Sequence, residues 1–165
     1  MSNVAALQTK MSPEASPETL AEKESCTFIC SRNSLDGAYP SLILAINARR
    51  MGMDATVFYT FMGINVIRKG GAKKLQFVPP GTMGAIPGIP SVATWMMRKQ
   101  IDGAGIPTIE ELMEVAQLEG VKFVACKMTV DMMGIKPEDF IDGVDIQTAE
   151  GYLKIARGCK INMFT

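Results

Sequence analysis

The sequence predicts an α/β fold built on a parallel sheet covered on both faces. Three observations carry that expectation. Runs at 25–31, 54–60 and 121–125 are short, apolar and rich in β-branched or aromatic residues, the signature of buried strands. Segments with helical spacing of apolar residues alternate with them. The chain has 165 residues, enough for one domain with a sizeable core. Alternation of strand and helix points to crossover connections, and so to parallel strands.

Taken in order, residues 1–23 are rich in Ser, Glu, Pro, Thr and Ala and show no apolar period. They are expected to form a disordered tail. One domain over 24–165 follows. The strand at 25–31 runs into a turn-rich loop at 32–37, and a helix is expected from about 38 to 51, ended by Gly52. Its apolar side is Tyr39, Leu42, Ile43 and Ile46. Pro40 suits only a first turn. The second strand, 54–60, leads into a helix expected at 61–69. Residues 75–78 read as a short strand or extended piece. The stretch 79–90 holds four prolines and three glycines, so it forms no regular element. It keeps Met83, Ile86 and Ile89 and reads as a long ordered loop, of the kind that serves as a lid or binding loop.

A helix is expected at 91–102, with Val92, Trp95, Met96 and Lys99 along one side. Thr108 and Glu111 have capping-box spacing. They open an amphipathic helix to 119 whose apolar stripe is Ile109, Leu112, Met113 and Ala116. The strand at 121–125 stops at Cys126, a Met-rich segment of one or two helical turns follows, and Gly134 closes it. Pro137 starts another turn. A brief extended piece at 144–146, a helix at 148–157 and a last strand at 160–164 complete the chain.

Composition removes several chemistries. There is no histidine, which excludes serine–histidine and cysteine–histidine hydrolase schemes within this chain. Cys26 and Cys30 are four strand residues apart, about 13 Å on one face, too far for a disulfide or a shared zinc. No metal site and no cofactor is expected. The net charge is zero, which argues against nucleic acid or an anionic membrane surface as a partner. No secretory leader is legible, and no run of about 18 apolar residues suggests a transmembrane segment. The expected location is cytoplasmic, with the four cysteines as reduced thiols. Hydrophobic content of 47% and mean hydropathy of +0.14 suggest apolar surface hidden in an oligomer.

The first candidate residue is Cys126. A thiol at the carboxyl edge of a strand, before a helix start, sits where open α/β sheets place ligands and catalytic groups. The helix start and the adjacent Lys127 would favour a thiolate. A buried strand cysteine is also a common inert core residue, and both readings stand at this level. Cys30 is a secondary thiol candidate, at the same sheet edge if the two strands are neighbours. The loop with Arg32, Asn33 and Ser34 makes a corner suited to an anion, or an ordinary connection. Arg68, Lys69, Lys73 and Lys74 form a basic cluster, either a solvated helix end or a docking surface for an acidic carrier. The Met-rich stretches read as core filler or as a soft wall around a sulfur site. Asp131 would oppose a thiolate if near.

Four strings in order sharpen the choice: SLDGAYPSLILA at 34–45, FYTFMGIN at 58–65, PGIP at 87–90 before a Met-rich helix, and FVACKMTVDMMG at 123–134. Together they resemble the DsrE/DsrF-like superfamily, in a subgroup often labelled peroxiredoxin family protein. The resemblance runs from about residue 24 to 165. It implies a three-layer α/β/α sandwich with a mostly parallel sheet of about five strands, and a homo-oligomer. It further implies a sulfur carrier or sulfurtransferase that holds sulfane sulfur as a cysteine persulfide or thiosulfonate. The sulfur would pass to a TusA-like carrier or come from a rhodanese-like donor. Carried onto this chain, the sulfur acceptor falls on Cys126; from their place in the chain, the loop with Arg32, Asn33 and Ser34 and the start of the next segment, Lys127, Met128 and Thr129, are expected to hold an anionic donor. Cys26, Cys30 and Cys159 match no functional position of the family. The peroxiredoxin label lacks its chemistry here, because no threonine–cysteine motif with a supporting arginine occurs. The alternative is a non-catalytic oligomeric binding or sensor module using the same pocket.

Overall fold

The computed structural model describes residues 24–165, and the tail expected over 1–23 lies outside the described residues. Five strands form one sheet in the order β4-β3-β2-β1-β5. They are β1 (Ser25–Cys30), β2 (Asp54–Tyr59), β3 (Lys122–Cys126), β4 (Val144–Gln147) and β5 (Ile161–Phe164). Every pairing is parallel. β2 is central, and five of its six residues are buried, as a strand covered on both faces requires.

The helices are α1 (Leu35–Arg50), α2 (Ile89–Gly103), α3 (Ile109–Leu118), α4 (Lys127–Met133) and α5 (Ala149–Arg157). The two faces are unequal. α1 and α3 pack on one, and their Leu42, Ile46, Leu112 and Met113 join Phe28, Val57 and Phe123 in the main core. Burying each such side chain contributes about 2 kcal/mol. The opposite face carries a small cluster, Phe58, Val124, Cys126 and Tyr152, roofed by α5. Phe58 stacks on Tyr152 at 4.2 Å between ring centroids. The Tyr152 hydroxyl and Thr27 Oγ1 share a hydrogen bond of 2.9 Å.

The amphipathic reading of α3 holds in detail. Thr108 N donates to Glu111 Oε2 at 2.7 Å and Glu111 N to Thr108 Oγ1 at 3.3 Å, so the capping box is closed. All four residues of the expected stripe are buried. α1 departs from expectation. It begins at Leu35, three residues early, and Pro40 lies inside it. The reason is tertiary: Leu35 N donates to Gln76 O at 3.1 Å, and a bridge joins Ser34 to Gln76. That contact supplies the helix start from a distant segment, which turns Pro40 into an interior residue. The buried stripe is consequently Leu35, Ala38, Leu42, Ala45 and Ile46, while Ile43 faces out.

The expected helix at 61–69 is instead a 3-10 segment, Phe61–Ile67. Gly63 explains it. Its amide donates to Ser31 O at 2.9 Å, and a Cβ there would meet Cys30 O at 2.2 Å. The backbone lies directly on the end of β1, and a regular α-helix with side chains has no room. At 75–78 the expected strand reduces to the single bridge at Gln76. Residues 79–88 are irregular as expected, apart from a 3-10 turn over Gly81–Ala85, while α2 starts two residues early and takes Ile89 and Pro90, a proline its first turn accepts.

Candidate functional site

Cys126 is the last residue of β3 and the N-cap of α4. Strand alternation turns it to the thinly covered face, into the cluster with Phe58, Val124 and Tyr152. It is 4% exposed. β2 and β3 are neighbours, so the carboxyl end of β2 meets this corner, where Thr60 follows the strand. Thr60 Oγ1 lies 3.4 Å from Thr129 Oγ1, and both threonines are buried. Next comes Phe61, whose amide donates to Thr129 Oγ1 at 3.1 Å. Phe61 has φ +45°, the one positive value on a non-glycine residue among the described residues. Such a conformation costs of order 1–3 kcal/mol and persists where surroundings hold it.

The electrostatics follow from that geometry. Burial pushes the Cys126 thiol up. Against it act the Thr129 amide and hydroxyl, the Thr60 hydroxyl and the Met128 amide, all hydrogen-bonding to the sulfur. Together they outweigh burial, and the thiol sits below its ordinary value. A thiolate held by donors, with no metal and no histidine, is a nucleophile poised for exchange with other sulfur atoms.

The site residues expected from sequence divide into two groups. Thr129 and Met128 lie at the thiol, Thr129 through its hydroxyl and Met128 through its amide. The Met128 side chain points out, as does that of Met132. They form an open apolar rim with Phe61 and Met62 rather than a cover. Lys127 turns away: its ammonium binds Asp131 at 2.6 and 2.7 Å on the exposed side of α4. That pairing also occupies the Asp131 carboxylate. Arg32, Asn33 and Ser34 lie after β1, and β2 separates β1 from β3. Arg32 approaches Asp36 at 3.9 Å. Asn33 lines a different cavity of about 260 Å³, with Arg68, Lys69 and Lys74. Ser34 caps α1 without a side-chain bond.

Cys30 does end a strand at the same sheet edge, but it belongs to the main core on the opposite face. Burial holds its thiol up at about 11, and its Sγ donates to Arg32 O and Gly37 O at 3.6 and 3.7 Å. A route by which Cys30 resolves Cys126 would have to pass through the sheet. Cys26 is likewise raised to about 11 by burial. Cys159 lies near the amino end of β5, where its Sγ donates to Ile155 O at 3.3 Å. The Pro/Gly loop and α2 do not cover Cys126 either. Thr94 and Arg98 of α2 tie them to residues 73–77, beside α1 and α3.

Thr60 and Phe61 escaped sequence reasoning. The available signal was a polar residue at the carboxyl end of an apolar strand beside the one that ends at Cys126. Among the described residues no group of three or more Cys, Asp or Glu is arranged to hold a metal. No described helix is long and apolar enough to cross a membrane.

Comparison with known proteins agrees with this architecture. A protein named Sulfur carrier protein DsrE2, from Allochromatium vinosum, is 34% identical over 151 residues, covering 82% of this chain and 94% of its own. The uncharacterized protein YrkE of Bacillus subtilis strain 168 is 28% identical, covering 84% and 94%. The crystal structure of the ychN protein from E. coli superposes with a TM-score of 0.58 at 17% identity, over 86% of this chain and 99% of that one. That likeness bears on the fold. Residues 22–164 match the DsrE/DsrF/DrsH-like family, and the chain belongs to that family.

Proposed function

We propose that this protein is a sulfur carrier in which Cys126 holds sulfane sulfur as a persulfide and yields it to a partner thiol. The observation that carries the reading is the set of donors around Cys126, which keeps a buried thiol below its ordinary value. Kinship with a named sulfur carrier at 34% identity supports it. In the loading step the Cys126 thiolate attacks the outer sulfur of a donor persulfide. A new S–S bond forms, the donor S–S bond breaks, and the donor thiolate leaves with the bonding pair. In the unloading step an acceptor thiolate attacks that outer sulfur and Cys126 leaves as thiolate. The two steps are exchanges with no net oxidation. Thr129 and Thr60 stabilise the thiolate as attacker and as leaving group alike. With tetrathionate as donor the same attack displaces thiosulfate and leaves a thiosulfonate on Cys126, while attack on the outer sulfur of thiosulfate displaces sulfite and leaves the persulfide.

The apolar rim of Phe61, Met62, Met128 and Met132 suits a partner that must approach a thiol only 4% exposed. TusA-like and rhodanese-like proteins in the cytoplasm are the partner classes the family suggests. A homo-oligomer is supported by apolar side chains left exposed at this edge, Leu153 of α5 and Phe164 of β5.

The test is intact mass after exposure to polysulfide or tetrathionate, with each cysteine changed in turn. Wild type and the Cys26, Cys30 and Cys159 variants are expected to gain sulfur, and Cys126→Ser none. An undiminished adduct on Cys126→Ser refutes the assignment. A wild type that gains nothing, yet binds small anions equally with and without Cys126, favours the non-catalytic module.

A further inference from the structure

Asn33 turns away from the Cys126 corner, and most of the basic cluster at 68–74 meets it where it lies. Asn33, Asn65, Arg68, Lys69 and Lys74 line one cavity of about 260 Å³. Three pieces of chain build it. Asn33 follows β1, and the bond from Leu35 N to Gln76 O sets that loop beside residues 74–76. The turn at 65–71 supplies the third side. In it Arg68 N donates to Asn65 O at 3.4 Å and Gly71 N to Arg68 O at 2.8 Å. A Cβ on Gly71 would collide with the Asn65 carbonyl, so glycine is what lets the turn close on itself. The turn is also fixed from outside: Lys69 N donates to Asp139 O at 2.9 Å and Ile141 N to Ile67 O at 3.0 Å. β1 is the strand on which the sheet order reverses, with β2 on one side and β5 on the other. The space outside the carboxyl end of such a strand is where open α/β sheets hold ligands.

Three cations and two carboxamides line this cavity, and among the described residues no acid does. Arg68 and Lys69 also border a neighbouring groove that holds Glu110, Glu114 and Asp142. Those acids do not neutralise them. Glu110 lies 3.5 Å from Lys73 Nζ, and among the described residues Arg68, Lys69 and Lys74 form no ion pair. Their donors are largely uncommitted. Arg68 Nη1 reaches Asn65 Oδ1 only at 3.5 Å, which leaves most of the guanidinium N–H groups over. Lys69 Nζ gives one bond to Glu138 O at 2.8 Å and keeps its other protons. The Glu138 and Asp139 segment thus offers this lysine a carbonyl, and the Asp139 carboxylate accepts from Lys136 N at 3.0 Å instead. Leu75 is the one apolar side chain of the lining, and it is 2% exposed. No aromatic ring takes part.

We propose that this cavity binds one small oxyanion with two negative charges, of the sulfate or phosphate type. Arg68 offers a planar fork to two oxygens, Lys69 and Lys74 supply point charges, and Asn33 adds a neutral donor. Sulfate, thiosulfate and phosphate share this chemistry. The lining selects a small anion over a carboxylate carried by a protein partner or a second copy. A docked protein holds its charged contacts inside an apolar surround, and here the single apolar lining residue is buried. It selects a small anion over a nucleotide, because the cavity has no ring or apolar wall to receive a base. β2 lies between β1 and β3, so the cavity is separate from the Cys126 corner. The inference does not rest on the sulfur chemistry proposed there.

Inorganic phosphate and sulfate are titrated at fixed ionic strength into the full-length protein and into Cys126→Ser, and thiosulfate into Cys126→Ser. Calorimetry reads the binding, and NMR follows the side-chain amides of Asn33 and Asn65. The expected result is one equivalent bound to both proteins, with both amides shifting and chloride about tenfold weaker or worse. The ranking of the three probes separates a phosphorus from a sulfur oxyanion. Lys74→Gln should weaken binding about tenfold and Arg68→Gln at least as much. Arg68→Lys keeps the charge without the fork and should fall between wild type and Arg68→Gln. Lys73→Gln should change binding less than about twofold, because Lys73 pairs with Glu110. Lys74 is exposed, so Lys74→Gln should keep the wild-type melting temperature. Four outcomes overturn the proposal. One is no heat and no amide shift. A second is equal binding of chloride, or equal weakening by Lys73→Gln and Lys74→Gln, which would mean surface charge alone. A third is binding lost in Cys126→Ser, which would put the anion at the thiol. The last is an oligomer that binds no anion and that Lys74→Gln splits in sedimentation, which would put a second copy in the cavity.

Discussion

Two thiols end parallel strands at the same edge of the sheet, and the fold treats them oppositely. Cys30 ends β1 and points into the main core beneath α1. Cys126 ends β3 and points to the thinner face beneath α5. Both are nearly inaccessible, so exposure does not separate them. What separates them is how far hydrogen bonds to the sulfur offset burial. At Cys30 desolvation dominates over bonds from Ser41 and the Arg32 backbone, and the thiol, which donates to the Arg32 and Gly37 carbonyls, stays neutral to about pH 11. Cys126 receives bonds from two hydroxyls and two amides, so its charged form is the one the site accommodates. Where burial dominates, a thiol is held neutral; where donors outweigh it, the thiolate is favoured.

The comparison breaks first, and most completely, on alkylation of the native protein at pH 8. Iodoacetamide is expected to label Cys126 and to leave Cys30 and Cys26 unlabelled until the protein unfolds, as peptide mapping would read. Labelling of Cys30 ahead of Cys126 would reverse the argument. Thr129→Val comes next. It keeps the shape and removes the hydroxyl that serves both the sulfur and the Phe61 amide. The thiol value should rise, slowing alkylation near pH 7, and stability should fall by about 1–3 kcal/mol from the stranded amide. A pH–rate profile with an unchanged midpoint would remove Thr129 from the site.

Gly63→Ala probes the other corner. Its Cβ would meet the Cys30 carbonyl oxygen, and the 3-10 segment must shift. A loss of about 2–3 kcal/mol by urea unfolding is expected. Cys30→Ala sharpens the contrast through pH. A thiol raised in the folded state contributes stability that is complete below the unfolded thiol value, about 8.5, and is lost as pH rises through about 11. Wild type should therefore lose melting temperature across that alkaline window, and Cys30→Ala should lose less. Cys126 has the opposite sign: its contribution is present above the unfolded thiol value and is lost as pH falls through its lowered folded value. The smallest effect belongs to Lys127→Ala. The Lys127–Asp131 pair is exposed, so stability should change by under about 1 kcal/mol and the alkylation rate of Cys126 by less than twofold. A larger rate change would return Lys127 to the site.

The sequence alone determined the elements whose information is local. The α3 stripe and its capping box, the strand that ends at Cys126, and Gly134 in the left-handed conformation closing α4 all rest on neighbours within about five residues. Alternation of strands and helices fixed the parallel sheet, because short connections leave few other topologies. It also marked Cys126 by the residue types and order around it. Tertiary structure decided what depends on distant partners. The start of α1 waits on Gln76, and the 3-10 form of 61–67 on the end of β1. The faces that Cys30 and Cys126 point to depend on where each strand stops, since a shift of one residue reverses the side chain. Whether Lys127 faces the thiol or Asp131 is a matter of rotation about α4. Which hydroxyls reach the sulfur was set by β2 lying beside β3, and that adjacency brings Thr60 and Phe61 to a cysteine more than sixty residues away.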